Sequence, residues 1–346
     1  MPTRKLLAAR RRSLLAARRR SLLAAGVLSM AALTLTACGS GAPSSAEADA
    51  AGSSSAAGEG SGELESVNIG YFPLVHTSTL VNADEQGYLE DAGIDAELTQ
   101  TQGGAAAIPA LASGNVDITY ANYTSALLAA QQGLPIVLIA GNDVGADDHG
   151  IYVDPESGIE EIADLTGKSF AVNNLQNIGT VALYAQLEEA GLSPADVEVM
   201  EMPYPDMAAA VQNGNVDAVW QVEPFQAVSE KEGLVKIGNL FAGPAEEMPV
   251  AGWITTREYA DAHPEVIDGL RSALSSSMED LDGNREALSA LVPEFTTVTA
   301  EVVQEIELPV FSAELDLEKL QQGADLMLEY DLIDEALDVQ GTAYTN

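Results

Sequence analysis

A short pattern occurs twice, 100 residues apart, and it constrains the fold more than any other feature of the chain. The first copy reads Ser113-Gly114-Asn115-Val116-Asp117-Ile118-Thr119-Tyr120 and the second Asn213-Gly214-Asn215-Val216-Asp217-Ala218-Val219-Trp220. In each, a glycine suited to ending a helix precedes a short strand-like run whose end carries an aromatic residue. Asp117 and Asp217 read as turn chemistry. Tyr120 and Trp220 stand at strand carboxyl ends, where ligands of open α/β sheets bind.

Around these copies, β-rich and helix-like runs alternate. Strands are expected at 67–71, 95–100, 117–120 and 136–140, with helices at 77–86, 105–112 and 125–131 between them. A second set has strands at 169–172, 197–200 and 218–221, with helices at 181–190 and 207–212. Such alternation predicts an α/β fold with a mainly parallel sheet. The body from Val67 onward is about 280 residues, enough for two lobes.

The beginning of the chain sets the compartment. Eight Lys and Arg residues and no acidic residue precede Cys38, and an apolar run at 22–37 follows the basic stretch. This is the layout of a secretory leader, and the run is too short to span a bilayer as a helix. It ends in Leu35-Thr36-Ala37-Cys38-Gly39, which resembles a bacterial lipobox. Cys38, the only cysteine, is the expected lipidation site and mature N-terminus. Residues 1–38 are thus read as a lipoprotein signal peptide and 39–66, rich in Gly, Ser and Ala, as a disordered tether. The expected location is the extracytoplasmic face of the cell membrane, held by lipid. The tandem Leu-Leu-Ala-Ala-Arg-Arg-Arg-Ser at 6–13 and 14–21 carries no information about the mature fold.

Beyond Cys38 only seven Lys and Arg face 53 Asp and Glu, a formal charge of −46. Such a surface repels nucleic acid, so no nucleic-acid partner is expected. Cationic clamps for an anion are correspondingly scarce. Gly167-Lys168-Ser169 lacks the glycine five residues earlier that a phosphate loop needs, that position being Ile162. His76, His149 and His263 are far apart in sequence, and no second cysteine offers soft ligation, so neither a metal nor a cofactor is expected. His149 with Asp147 and Asp148 reads as a solvated loop, and His263 before Pro264 as a helix-start turn. No catalytic constellation emerges.

Several segments in order resemble one family. They are Ile69-Gly70-Tyr71-Phe72-Pro73 with His76, Gln86-Gly87-Tyr88-Leu89, Ala92-Gly93-Ile94 and Leu165-Thr166-Gly167-Lys168-Ser169-Phe170-Ala171-Val172. Gly191-Leu192-Ser193-Pro194-Ala195-Asp196-Val197, Gly214-Asn215-Val216-Asp217-Ala218, Glu223-Pro224 and the stretch 255–270 complete the set. Together they resemble the nitrate, sulfonate and taurine binding proteins, a family that also includes thiamine-pyrimidine-precursor binders. The resemblance implies a type II periplasmic binding protein fold: two α/β lobes joined by a two-strand hinge. Lobe one would comprise 67–142 plus 252–346, including C-terminal helices, and lobe two 143–251. It implies a monomeric binding component, not an enzyme, that passes a small molecule to an ABC permease and, through it, to an ATPase subunit. The alternative is a thiamine-pyrimidine-precursor-type protein or an enzyme on the same fold, against which the lack of further cysteines counts.

Candidate ligand contacts cluster at strand ends: Tyr71, His76 and Thr77, then Gln102, then Tyr120 and Asn122, with Asn142 at the crossing. In the second half they are Asn173, Asn177, Thr180, Trp220 and Glu223, with Trp253 on the return. Amides and helix-start N–H groups could hold a sulfonate without arginine, whereas the aromatic content suits stacking of a planar ring. Both a sulfonate or taurine-like solute and a planar, pyrimidine-like one stay open.

Overall fold

The computed structural model describes residues 64–345, so the leader, Cys38 and nearly all of the expected tether lie outside the described residues. Among the described residues no helix is long and apolar enough to cross a membrane. Eleven strands among the described residues form two sheets. The first has the order β11-β4-β10-β3-β1-β2 and the second β7-β6-β8-β5-β9. The first contains β1 (Glu65–Tyr71), β2 (Ile94–Gln100), β3 (Ile118–Asn122), β4 (Ile136–Val144), β10 (Pro249–Thr256) and β11 (Val310–Phe311). The second contains β5 (His149–Val153), β6 (Ser169–Val172), β7 (Glu198–Glu201), β8 (Ala218–Val222) and β9 (Val235–Asn239). This is the periplasmic binding protein fold, two α/β lobes.

Each sheet is mixed, not mainly parallel. β1 lies parallel to β2 and β3, and β6 to β7 and β8, as successive strand–helix–strand units require. Antiparallel pairing involves β10, which runs against β3 and β4, β5, which runs against β8 and β9, and the short β11, which runs against β4. A chain that leaves one sheet, completes a second and returns must re-enter in the opposite direction, and no local sequence pattern encodes that.

The repeated pattern does the same work in both sheets. The helices Gly104–Ala112 and Tyr204–Gln212 end shortly before Gly114 and Gly214, whose φ values of 71° and 67° are in the left-handed region that glycine adopts without strain. The strands that follow are buried, Ile118, Ala218 and Val219 completely, because helices cover both faces of each sheet. Helices begin earlier than apolar periodicity predicts. Asn122 caps Tyr123–Gln131 by accepting from the Ser125 N–H, and Asn177 caps Ile178–Glu189 by accepting from that of Gly179. The amphipathic C-terminal helices Pro264–Leu281 and Leu317–Glu329 bury Val266, Ile267, Leu270 and Leu320 against the rest of the protein.

Candidate functional site

The carboxyl ends of β1, β3 and β4 face those of β6, β7 and β8 across one cleft. An outer opening of about 1040 Å³ adjoins an inner cavity of about 40 Å³, and both are lined by Phe72, Gly103, Asn122, Asn173, Asn177 and Tyr204. Two of these are the helix caps, so the same polar residues start the helices and face the cleft. Asn177 also bonds through its amide to Asn173.

The inner wall is aromatic. Trp220 stacks on His149 with ring centroids 5.8 Å apart and planes 23° apart, and it meets the edge of Tyr204 at 5.4 Å. Tyr204 in turn stacks on Phe225 at 5.5 Å. Gly179 permits this arrangement, since a Cβ there would lie 2.2 Å from the Trp220 ring.

The ionisable groups of the inner region include Asp143, Asp148, His76 and His149. Asp143 Oδ1 accepts from the Tyr120 hydroxyl and the Asn142 amide, both at 2.8 Å, while its Oδ2 is buried without a partner. Burial raises the Asp143 pKa, and His76 partly offsets it. Burial alone would lower the His76 pKa, but the neighbouring Asp143, Asp148 and Glu223 lift it to about 8. His76 Nε2 lies 2.6 Å from Asp148 Oδ2. Burial depresses His149 to about 4, so its ring is neutral. None of the residues lining the inner cavity is Lys or Arg.

Of the residues singled out in the sequence, His76, Tyr120, Asn122, Asn173, Asn177 and Trp220 line the inner cavity, and Gln102 lines the outer cleft. Others are engaged elsewhere. Tyr71 accepts from the Gln100 amide and meets the edge of Phe295, and Thr77 donates to the Phe72 carbonyl. Asn142 is bonded at the end of β4: its Oδ1 accepts from Thr79 and Trp253, and its amide donates to the His76 carbonyl. Trp253 is therefore a fully buried core residue. Thr180 donates to the Asn174 carbonyl, and Glu223 accepts from the N–H groups of Ala227 and Glu307.

Two readings of the histidines are corrected. His149 and Asp148 do not form a solvated loop: both are buried because β5 begins at His149 and is an interior strand of the second sheet, between β8 and β9. His76 and His149 are not far apart in space, their rings lying 5.4 Å from each other. His263 stacks on Tyr259 and faces Glu65 at 3.4 Å, away from the cleft. Sequence reasoning missed Phe72, Asp143, Ile178, Tyr204 and Phe225. Tyr204 follows the end of β7 and Asp143 sits near the end of β4, so the strand-end rule applied to every strand would have found both.

Two sheets facing each other across a cleft at their carboxyl ends are accompanied by a match to a family model described as NMT1/THI5 like, over residues 75–286. The chain belongs to the NMT1/THI5-like family. This family member is 26% identical over 203 residues to the taurine-binding periplasmic protein of Escherichia coli, covering 58% of this chain and 62% of that protein, less than two thirds of its length. It is 24% identical over 250 residues to the formylaminopyrimidine-binding protein of Halalkalibacterium halodurans, covering 71% of this chain and 74% of that protein. Its fold matches the alkanesulfonate-binding protein SsuA from Xanthomonas axonopodis pv. citri with a TM-score of 0.71 at 20% identity, covering 82% of this chain and 99% of that one.

Proposed function

We propose that this chain is an exported solute-binding lipoprotein of an ABC importer, capturing a small organic solute whose inner end carries an ammonium or N–H donor. The observation that carries the solute class is Asp143: a buried carboxyl group with one free oxygen, in an aromatic cavity lined by no Lys or Arg. A ligand nitrogen satisfies that oxygen, whereas a bare anionic head placed there leaves it unpaired and has only the His76 imidazole to set against Asp143. Taurine and formylaminopyrimidine, for which two relatives are named, both bear an amino nitrogen. The helix Gly104–Ala112 starts at the cleft with no side-chain cap, which suits an anionic outer end on a zwitterionic solute. Trp220 and Tyr204 provide the surface for a planar one.

In this reading the lobes, 67–142 plus 252–346 and 143–251, close about the crossings near Asn142 and Gly252. Closed, the monomer docks on a permease whose ATPase subunit supplies the energy. Cys38 carries the lipid. The distinguishing experiment incubates purified protein with taurine or formylaminopyrimidine and recovers the small molecule. Stoichiometric retention of unchanged solute fits a receptor; conversion to product would replace this reading with the enzyme on the same fold.

A further inference from the structure

We propose that His76, Asp148 and His149 form a binding site for a divalent transition ion of the Zn²⁺ class, opening on the inner cavity. The three side chains are 1%, 0% and 2% exposed, and one donor atom from each lies within 4.8 Å of the others. Among the described residues this is the group that presents two imidazoles and a carboxylate in such proximity.

The hydrogen-bonding pattern points to a missing ligand. Both ring nitrogens of His149, Nδ1 of His76 and Oδ1 of Asp148 are buried without partners. A buried polar atom left unpaired costs about 1–3 kcal/mol, and an ion held by the three side chains gives His149 Nε2 the partner it lacks. Zinc bonds of about 2.0–2.2 Å at tetrahedral angles put ligand atoms about 3.4 Å apart. His149 Nε2 and Asp148 Oδ2 are 3.8 Å apart, already close to that spacing. His76 Nε2 and Asp148 Oδ2, at 2.6 Å, share a proton, and an ion that replaces the proton widens the gap. Two imidazoles favour Zn²⁺ and its neighbours over Ca²⁺ or Mg²⁺, which take oxygen ligands. Because His76 and His149 line the inner cavity, the remaining coordination position falls to water.

The test is calorimetric titration of ZnCl₂ into EDTA-treated protein carrying Cys38→Ser, which removes the only thiol. One ion per chain, bound at roughly micromolar Kd or tighter, is expected, with proton release that varies with the buffer's ionisation enthalpy. Supporting residues around metal ligands are worth 10–100-fold in affinity, so removing a ligand by His149→Ala should weaken binding by at least about 100-fold. His263→Ala should leave it unchanged. Co²⁺ added to protein with all histidines intact should give the strong visible absorption of four-coordinate cobalt, a readout independent of how the His149 variant folds. Absence of Zn²⁺ binding, binding that survives His149→Ala, or Co²⁺ without that absorption would each overturn the proposal.

Discussion

Asp117 and Asp217 perform the same task in the two halves of the protein. The Asp117 carboxylate accepts from the Asn68 backbone N–H on β1 at 2.9 Å, and the Asp217 carboxylate accepts from the Ser169 backbone N–H on β6 at 2.9 Å. Each aspartate thereby ties the start of the strand that carries the cleft aromatic, Tyr120 or Trp220, to its parallel neighbour.

Replacing either aspartate by alanine leaves a strand N–H without its acceptor. Both sites are partly solvated, so the expected loss is about 1 kcal/mol each, read as a lower urea midpoint with unchanged slope. At Asp217 the effect depends on pH. Burial raises its pKa, but the bonds from Ser169 and the nearby Lys168 outweigh burial and hold it below 3.8. A depressed acid stabilises the fold above its unfolded pKa, so the deficit of Asp217→Ala should be constant above about pH 5 and shrink as pH falls below 3.8. A deficit that grows on acidification would contradict this assignment.

Gly179→Ala places a methyl group where the Trp220 ring already lies. The ring has to shift from its stack on His149 into the inner cavity. Overpacking of this kind costs about 1–3 kcal/mol, and solute affinity should fall with it. A variant with unchanged melting temperature and unchanged affinity would show that Trp220 moves freely and does not shape the site.

How far the sequence revealed these features follows from how local each one is. Gly114 and Gly214, and Tyr120 and Trp220, were legible because helix end, strand and strand-end aromatic lie within eight consecutive residues; Asp117 and Asp217 read only as turn residues, because the strand N–H each accepts from is 49 and 48 residues away. The antiparallel strands β5 and β10 were not, since their direction depends on a return across the whole second lobe. His76 and Asp148, 72 residues apart, meet only because the first crossing passes beside the segment after β1. Trp253 and Asn142 misled for a related reason: an aromatic and an amide at a crossing resemble cleft residues until their mutual hydrogen bond is seen.

The anchor is testable without a ligand. Cys38→Ser should move the protein from the membrane fraction to the medium, because two acyl chains on one cysteine hold a protein far more firmly than one chain does. Retention of the variant in washed membranes would show a different attachment.

The most direct test of the proposed solute site is calorimetric titration with formylaminopyrimidine, taurine and ethanesulfonate, the last being taurine without its amino group. At least one nitrogen-bearing solute should bind one per chain, and ethanesulfonate should bind at least about 100-fold more weakly, the cost of leaving the Asp143 oxygen unpaired. Asp143→Asn should reduce that preference, and Trp220→Ala should weaken binding of the preferred solute. Ethanesulfonate binding as tightly as its amino counterpart, or no binding of any of the three, would contradict the account.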